Sequence, residues 1–504
     1  MRWKLNPVKI ASLLTNLEYF MSKHIATTQH PASLRVFFAT EMWERYGFYV
    51  VQTLLVLYLA LHYNWPDKRV YPLVGSFTAL TYLSPVIGGW VADHLLGQKK
   101  AVLLGAVILF LAYIVLTCTS NEGHLIMALA AVAVGTGLLK PNISSLLGNQ
   151  YPADSAKREA GFTIFYMGLT TGIILGTTLP SMLNQYFGWS VSFGSAAVGM
   201  VIAFSVFWLG VKRYAIADYH VMHVEAKDWI KSAVLISGLW GVGYVILNSS
   251  NLADMVIFAV VIASVVYLVY TIRHEPPLQA NQTIIIGLLC LISIMFWAFY
   301  FEMFLCLTLF IARVVKPTLL GIAFPPPYYV AVQSVGMLVF GFFLSRRNPK
   351  PIVAHHCLDT NRKFLIAMGL MCCSYALITL VSTLSTSEEA ISPWLVLPAY
   401  IFISLAELLL SPVGLAAITT LACRQKVSTM MGIFFVSLGI GAYLSGKLAN
   451  ITAVTDTQLS ISALKIHYSH GLTTLLIILL VGTVIAFVLN RLIKKLLMQA
   501  QSYV

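Results

Sequence analysis

The stretch from Ala39 to Tyr49 reads ATEMWERYGFY and sets two carboxylates and a guanidinium inside an apolar run long enough to cross a bilayer. Glu41, Glu44 and Arg45 stand at i, i+3 and i+4, so a helix carries all three on one face. A charge at mid-membrane costs about 2.5–3.5 kcal/mol on insertion scales, which sends that face toward a bundle interior or a water-filled path. One acid neutralises Arg45, and the second can take up or release a proton as its basic partner comes and goes. Lys140 precedes Pro141 in a Gly-rich apolar run, Glu302 follows an aromatic one, and Glu407 interrupts the apolar stretch from Trp394 to Leu410. The bases Arg45 and Lys140 fall in the amino-terminal half and the acids Glu302 and Glu407 in the carboxy-terminal half. A zwitterion a few bonds long, placed between them, would set its carboxylate on the first half and its ammonium on the second. The competing readings are a structural ion pair at Arg45, snorkelling of Lys140 to an interface, and packing roles for Glu302 and Glu407.

The elements that must position these groups are membrane helices. Of 504 residues, 59% are hydrophobic and 10% charged, and the mean hydropathy is +0.82; so little charge excludes a soluble protein of this length. Spans of about 20 apolar residues recur near 34–61, 72–93, 100–118, 124–147, 159–187, 191–211, 229–247, 252–272, 283–312, 324–345, 362–383, 393–422, 427–450 and 468–493. The chain divides into an arm (1–33), a six-helix bundle (34–211), a linker with two extra spans (212–282), a second six-helix bundle (283–493) and a tail (494–504). Six spans and six spans suit a transporter built of two halves around a midplane site. The net charge of +13 sits mainly in loops on one side, including Lys99, Lys100, Lys212, Arg213, Arg362 and Lys363. It therefore points to positive-inside topology with both termini cytoplasmic rather than to nucleic acid. Lys68, Arg69, Arg313 and Lys316 are exceptions on the opposite side.

Enzyme and metal chemistry find no support. Gly441 to Lys447 has the spacing of a phosphate loop, but Leu448 stands where Ser or Thr is needed and no strand precedes it. His355-His356 lacks a spaced partner, the seven cysteines lack zinc-ligand spacing, and no nucleophile, base and acid constellation stands out. No cofactor and no metal are expected, with the proton as coupling ion.

Five motifs are spread along the chain: Glu41-x-x-Glu44-Arg45, GGWVADHLLGQKK from Gly88, GTGLLKPNISSLLGNQY from Gly135, FYMGLTTG from Phe165 and AELLLSPVGL from Ala406. Together they resemble the proton-dependent oligopeptide transporter family of the major facilitator superfamily. In order, they are similar to its first-helix motif, its signature after helix two, its fourth-helix Lys-Pro-Asn stretch and its helix-five and helix-ten motifs. The resemblance implies an all-α fold of fourteen transmembrane helices, two six-helix bundles plus a central pair as in bacterial members, and import of di- and tripeptides by alternating access driven by the inward proton gradient. It implies a location in the bacterial inner membrane and function as a monomer. It makes Glu41, Glu44, Arg45 and Lys140 the proton-coupling cluster, with Glu302 as a further acid, and lets Arg45 and Lys140 receive the peptide carboxylate. Glu407 becomes the partner of the peptide amino end, with Ser411 one turn away and Tyr49 and Tyr82 as pocket tyrosines.

The departures concentrate in that implied pocket. Thr170 stands for an Asn in the fifth-helix motif, Gly336 for an Asn in helix eight of the core twelve, Phe434 for a Trp in helix eleven, and Phe48 for a tyrosine. Loss of a buried hydrogen-bonding group costs a ligand that needs it about 1–3 kcal/mol. A same-fold proton symporter for another small zwitterion or peptide-like metabolite is therefore the alternative. A substrate sensor would call for a sizeable soluble output region, and an intramembrane enzyme for a catalytic constellation.

Overall fold

Long apolar runs, separated by short polar loops and helix-stopping glycines or prolines, leave the backbone one way to satisfy its hydrogen bonds in hydrocarbon, which is the α-helix. The computed structural model describes residues 30–119, 121–151, 156–216, 218, 224–347, 356–385, 387–423, 426–455 and 459–501. Within them the first bundle comprises α1 Leu34–Leu57, α2 Asp67–Val91, α3 Gln98–Cys118, α4 Glu122–Gly148, α5 Ala156–Phe187 and α6 Trp189–Arg213. The central pair is α7 Ala226–Asn248 and α8 Ser250–His274. The second bundle comprises α9 Pro277–Val314, α10 Pro327–Arg347, α11 His356–Leu384, α12 Pro393–Leu421, α13 Val427–Ala449 and α14 Ile461–Gln501.

Twelve helices among the described residues are long and apolar enough to cross a membrane. The first, α1, is not among them, and it is the helix that carries Arg35, Glu41, Glu44 and Arg45. Three features differ from the sequence reading. The span expected at 283–312 is broken by a 3-10 turn at Phe301–Phe304. The stretch before α10 holds a small hairpin, Thr318–Leu319 with Ile322–Ala323, whose turn residues Leu320 and Gly321 both have positive φ, as a tight two-residue hairpin turn requires. Helix α14 continues to Gln501, through residues expected to form a tail. Most of the expected arm (1–29), together with Lys350, His355 and Arg424, lies outside the described residues.

The halves meet through α2 with α13 and α5 with α10. Gly75 and Gly446 allow the first contact: a Cβ on Gly75 would stand 2.7 Å from the Gly446 Cα, a spacing only small residues permit. The central pair bridges the halves. Helix α7 packs on α4 and α2, with Trp240 Nε1 donating to the Met127 carbonyl at 3.0 Å. Helix α8 is tied to α13 at both ends, through Asp254 with Lys447 at 2.8 Å and through Glu275, just past its end, with Lys426 at 2.8 Å.

Candidate functional site

The charges on α1 form one buried cluster. Arg45 donates through Nη2 to Glu44 Oε1 at 2.6 Å and through Nε to Glu44 Oε2, and Glu41 Oε1 lies 3.5 Å from Arg45 Nε. Glu41 Oε2 is buried without a hydrogen-bond partner among the described residues. Helix α5 closes over this turn, where Gly172 lies against the Met42 carbonyl and the Arg45 Cβ, so the acids are shut off from lipid. Lys140, one residue before the proline inside α4, reaches over the Tyr82 ring at 4.8 Å from its centroid, within cation–π range. Among the described residues it makes no ion pair with either acid.

A cavity of about 210 Å³ lies between the halves. Arg45, Tyr49, Tyr82, Lys140 and Thr170 line one wall, and Glu407 and Ser411 line the other. Seven of the sequence-expected residues are thereby brought together from five helices, while Glu41 and Glu44 stand behind Arg45 and outside the lining. Glu407 is held by two donors on α9 and α10: Tyr300 Oη at 2.9 Å and Gln333 Nε2 at 2.5 Å. Both end on Oε2, so Oε1 retains acceptor capacity for a ligand. Tyr300 and Gln333 were not read as site residues from the sequence; the signal was a polar side chain inside each of two apolar spans. Gln52, Thr78 and Tyr166 also line the cavity, as does Phe48, whose ring lies 5.0 Å from the Arg45 guanidinium. An aromatic face thus remains where the tyrosine hydroxyl is missing.

Two expected site residues lie elsewhere. Phe434 is buried against Gly414, and it is the next residue, Phe435, that lines the cavity; one helical step of about 100° separates packing from pocket. Glu302 belongs neither to the cavity lining nor to the Arg45 cluster. It lies buried on the 3-10 turn of α9, with Cys306 and Ser445 as its polar neighbours. Gly336 also faces away from the cavity: a Cβ there would meet Ser404 Oγ on α12 at 2.7 Å, while Met337 lines the cavity in its place. Thr170 lines it but spends its hydroxyl proton on the Tyr166 carbonyl at 3.0 Å. Neither replacement restores a free amide to the pocket.

One face of the interface between the halves is fastened. Arg313 near the end of α9 holds Asp67 at the start of α2 through two parallel bonds, Nη1 to Oδ2 at 2.6 Å and Nη2 to Oδ1 at 2.8 Å. Tyr468 Oη stands 2.9 Å from Nη1, and the Val454 N–H donates to Asp67 Oδ2 at 2.9 Å. This paired fork geometry is the strong form of the interaction. Two exceptions to the positive-inside pattern thus have acidic partners: Arg313 is paired with Asp67, and Arg69, separately and at the surface, with Glu122.

Residues 99–466 match the family model described as POT family. The chain belongs to the POT family. A dipeptide and tripeptide permease A of Erwinia pyrifoliae is 30% identical over 468 residues, covering 88% of this chain and 92% of the relative. A dipeptide and tripeptide permease B of Yersinia enterocolitica is 27% identical over 490 residues, covering 93% and 96%. Among solved structures, one described under substrate recognition in proton dependent oligopeptide transporters superposes with a TM-score of 0.80 at 27% identity, over 92% of this chain and 99% of that one. A tetrameric PepTSo2 structure gives 0.80 at 26% identity with the same coverage. The fourteen-helix arrangement is thus the major facilitator fold as POT proteins build it, and this POT chain is an integral inner-membrane protein.

Proposed function

We propose that the chain is a proton-coupled symporter that imports di- and tripeptides by alternating access, with both termini in the cytoplasm. The observation that carries this reading is one cavity with two bases, Arg45 and Lys140, on one half and one acid, Glu407, on the other. A short peptide is a zwitterion whose ends match those walls, so binding draws the halves together and lowers the cost of closing around it. In this reading the peptide carboxylate competes with Glu44 and Glu41 for Arg45. An acid that loses its base holds a proton more readily, so occupancy of the site and protonation rise together. Glu302, without a base of its own, serves as a separate proton carrier in the second half. No step needs a cofactor or a covalent intermediate, and each monomer contains a whole site.

Uptake of labelled dialanine into proteoliposomes, with and without an inward proton gradient, tests the proposal. Gradient-driven uptake is expected; its absence in folded protein would overturn the peptide reading. The pocket's missing amides favour a second reading, in which the substrate is a small zwitterion without a peptide bond. Such a ligand would bind while dialanine does not, and it would still depend on Arg45 and Glu407.

A further inference from the structure

A second cavity, of about 370 Å³, opens on the face where Asp67 meets Arg313, between α2, α4, the α7–α8 turn and the end of α13. It is separate from the peptide site. Among the described residues, Lys68, Arg69 and Lys447 line it together with Asn248, Ser250 and Asn450, and no carboxylate does. The acids that neutralise two of these bases, Glu122 on Arg69 and Asp254 on Lys447, stand outside the lining. Lys68 has no ion-pair partner among the described residues. Asn450 brings a second unmet demand, because its Oδ1 is buried without a hydrogen-bond partner among the described residues. A half-turn of that amide presents its NH2 group as a donor in the same place.

Three cations and several neutral hydrogen-bonding groups, with no acid among the described lining residues, form a receptor for an anion, and phosphate oxygens match guanidinium and ammonium donors best. We propose that this cavity binds a phosphate-bearing anion, whether the headgroup of an anionic phospholipid or free phosphate. Its place favours the headgroup geometrically: Leu252 and Met255, exposed on α8 just beyond Ser250, continue the site as an apolar surface along which acyl chains can lie. The bound anion would join Lys68 and Arg69 of the first half to Lys447 of the second. It gives Lys68 a counter-charge and adds to those of Arg69 and Lys447 when this face is closed, and so supports the same closed arrangement as the Asp67–Arg313 pair. The central helices gain a role in this scheme, since their turn supplies the Asn248 and Ser250 wall.

Thermal unfolding of the purified full chain in detergent, titrated with dioleoylphosphatidylglycerol, dioleoylphosphatidylethanolamine or inorganic phosphate, tests the site without reference to transport. Stabilisation by phosphatidylglycerol but not phosphatidylethanolamine is expected. Its apparent affinity should fall about tenfold or more in the double variant Lys68→Gln, Arg69→Gln. Lys68→Arg should retain it, as should Lys227→Gln, whose exposed base lies at the other end of α7. The same pattern with inorganic phosphate supports the site and makes free phosphate its source. An identical response of the native chain and the double variant to all three additives would overturn the proposal.

Discussion

Glu407 is the residue on which the two readings of the pocket agree, because its second oxygen carries no protein hydrogen bond while the first carries two. Glu407→Gln keeps the volume and removes the charge that pairs with an ammonium. A hydrogen bond to a charged group contributes about 1.5–3 kcal/mol, so the apparent affinity for dialanine should weaken roughly 10- to 150-fold, read as KM in gradient-driven uptake. Unchanged KM would remove Glu407 from the amino-end role. Phe434 and Phe435 provide the complementary test. Phe434→Ala opens a buried void against Gly414 and should lower stability by about 3–5 kcal/mol, seen as a lower Tm. Phe435→Ala should instead change KM and leave Tm nearly unmoved. These neighbours show where sequence reading fails at this scale. The charged residues were legible because a charge in a membrane span demands a reason. An aromatic residue does not, and nothing in MMGIFF says which of two phenylalanines turns toward the ligand until α12 supplies Gly414 as the partner of one.

Between elements, the fastening of α2 to α9 and the close approach of α2 to α13 hold the Asp67 face closed. Asp67 is 2% exposed, and removing its partner leaves a buried charge unpaired, which typically costs about 3–5 kcal/mol. Arg313→Gln should therefore shift the equilibrium toward the state open on that face. Spin labels placed across the seam would report a longer distance, and proton-driven uptake would fall. The exchanged pair Asp67→Arg with Arg313→Asp should recover part of both, whereas recovery of neither would make Arg313 a packing residue of α9 rather than a latch. From sequence, the number of helices and the six-plus-two-plus-six order were readable, because most spans declare themselves by composition and α1 does so by the charges it carries on one face. The latch was not readable: its partners lie 246 residues apart, and Arg313 looked only like a stray base on the wrong side. The broken α9 and the hairpin before α10 were hidden for a related reason, since a 3-10 turn among aromatic residues leaves the hydropathy of the span unchanged.

At the scale of the whole molecule, proton symport with a zwitterion makes a quantitative demand that no single residue reveals. A zwitterionic peptide carries no net charge, so a cycle that moves it with one proton transfers one positive charge across the membrane. An inside-negative potential of 100 mV then contributes about 2.3 kcal/mol per cycle, enough to raise the limiting accumulation ratio roughly 50-fold. Proteoliposomes loaded with potassium and treated with valinomycin should therefore accumulate dialanine even with equal pH on both sides, and the initial rate should rise with the potassium gradient. Raising the outer pH under the same potential should slow uptake by removing the coupling proton. If a proton-conducting uncoupler left potential-driven accumulation intact, the driving ion would not be the proton. The Arg45 cluster would then hold peptide without coupling it to proton movement, although the cavity and its opposed charges would stand as described.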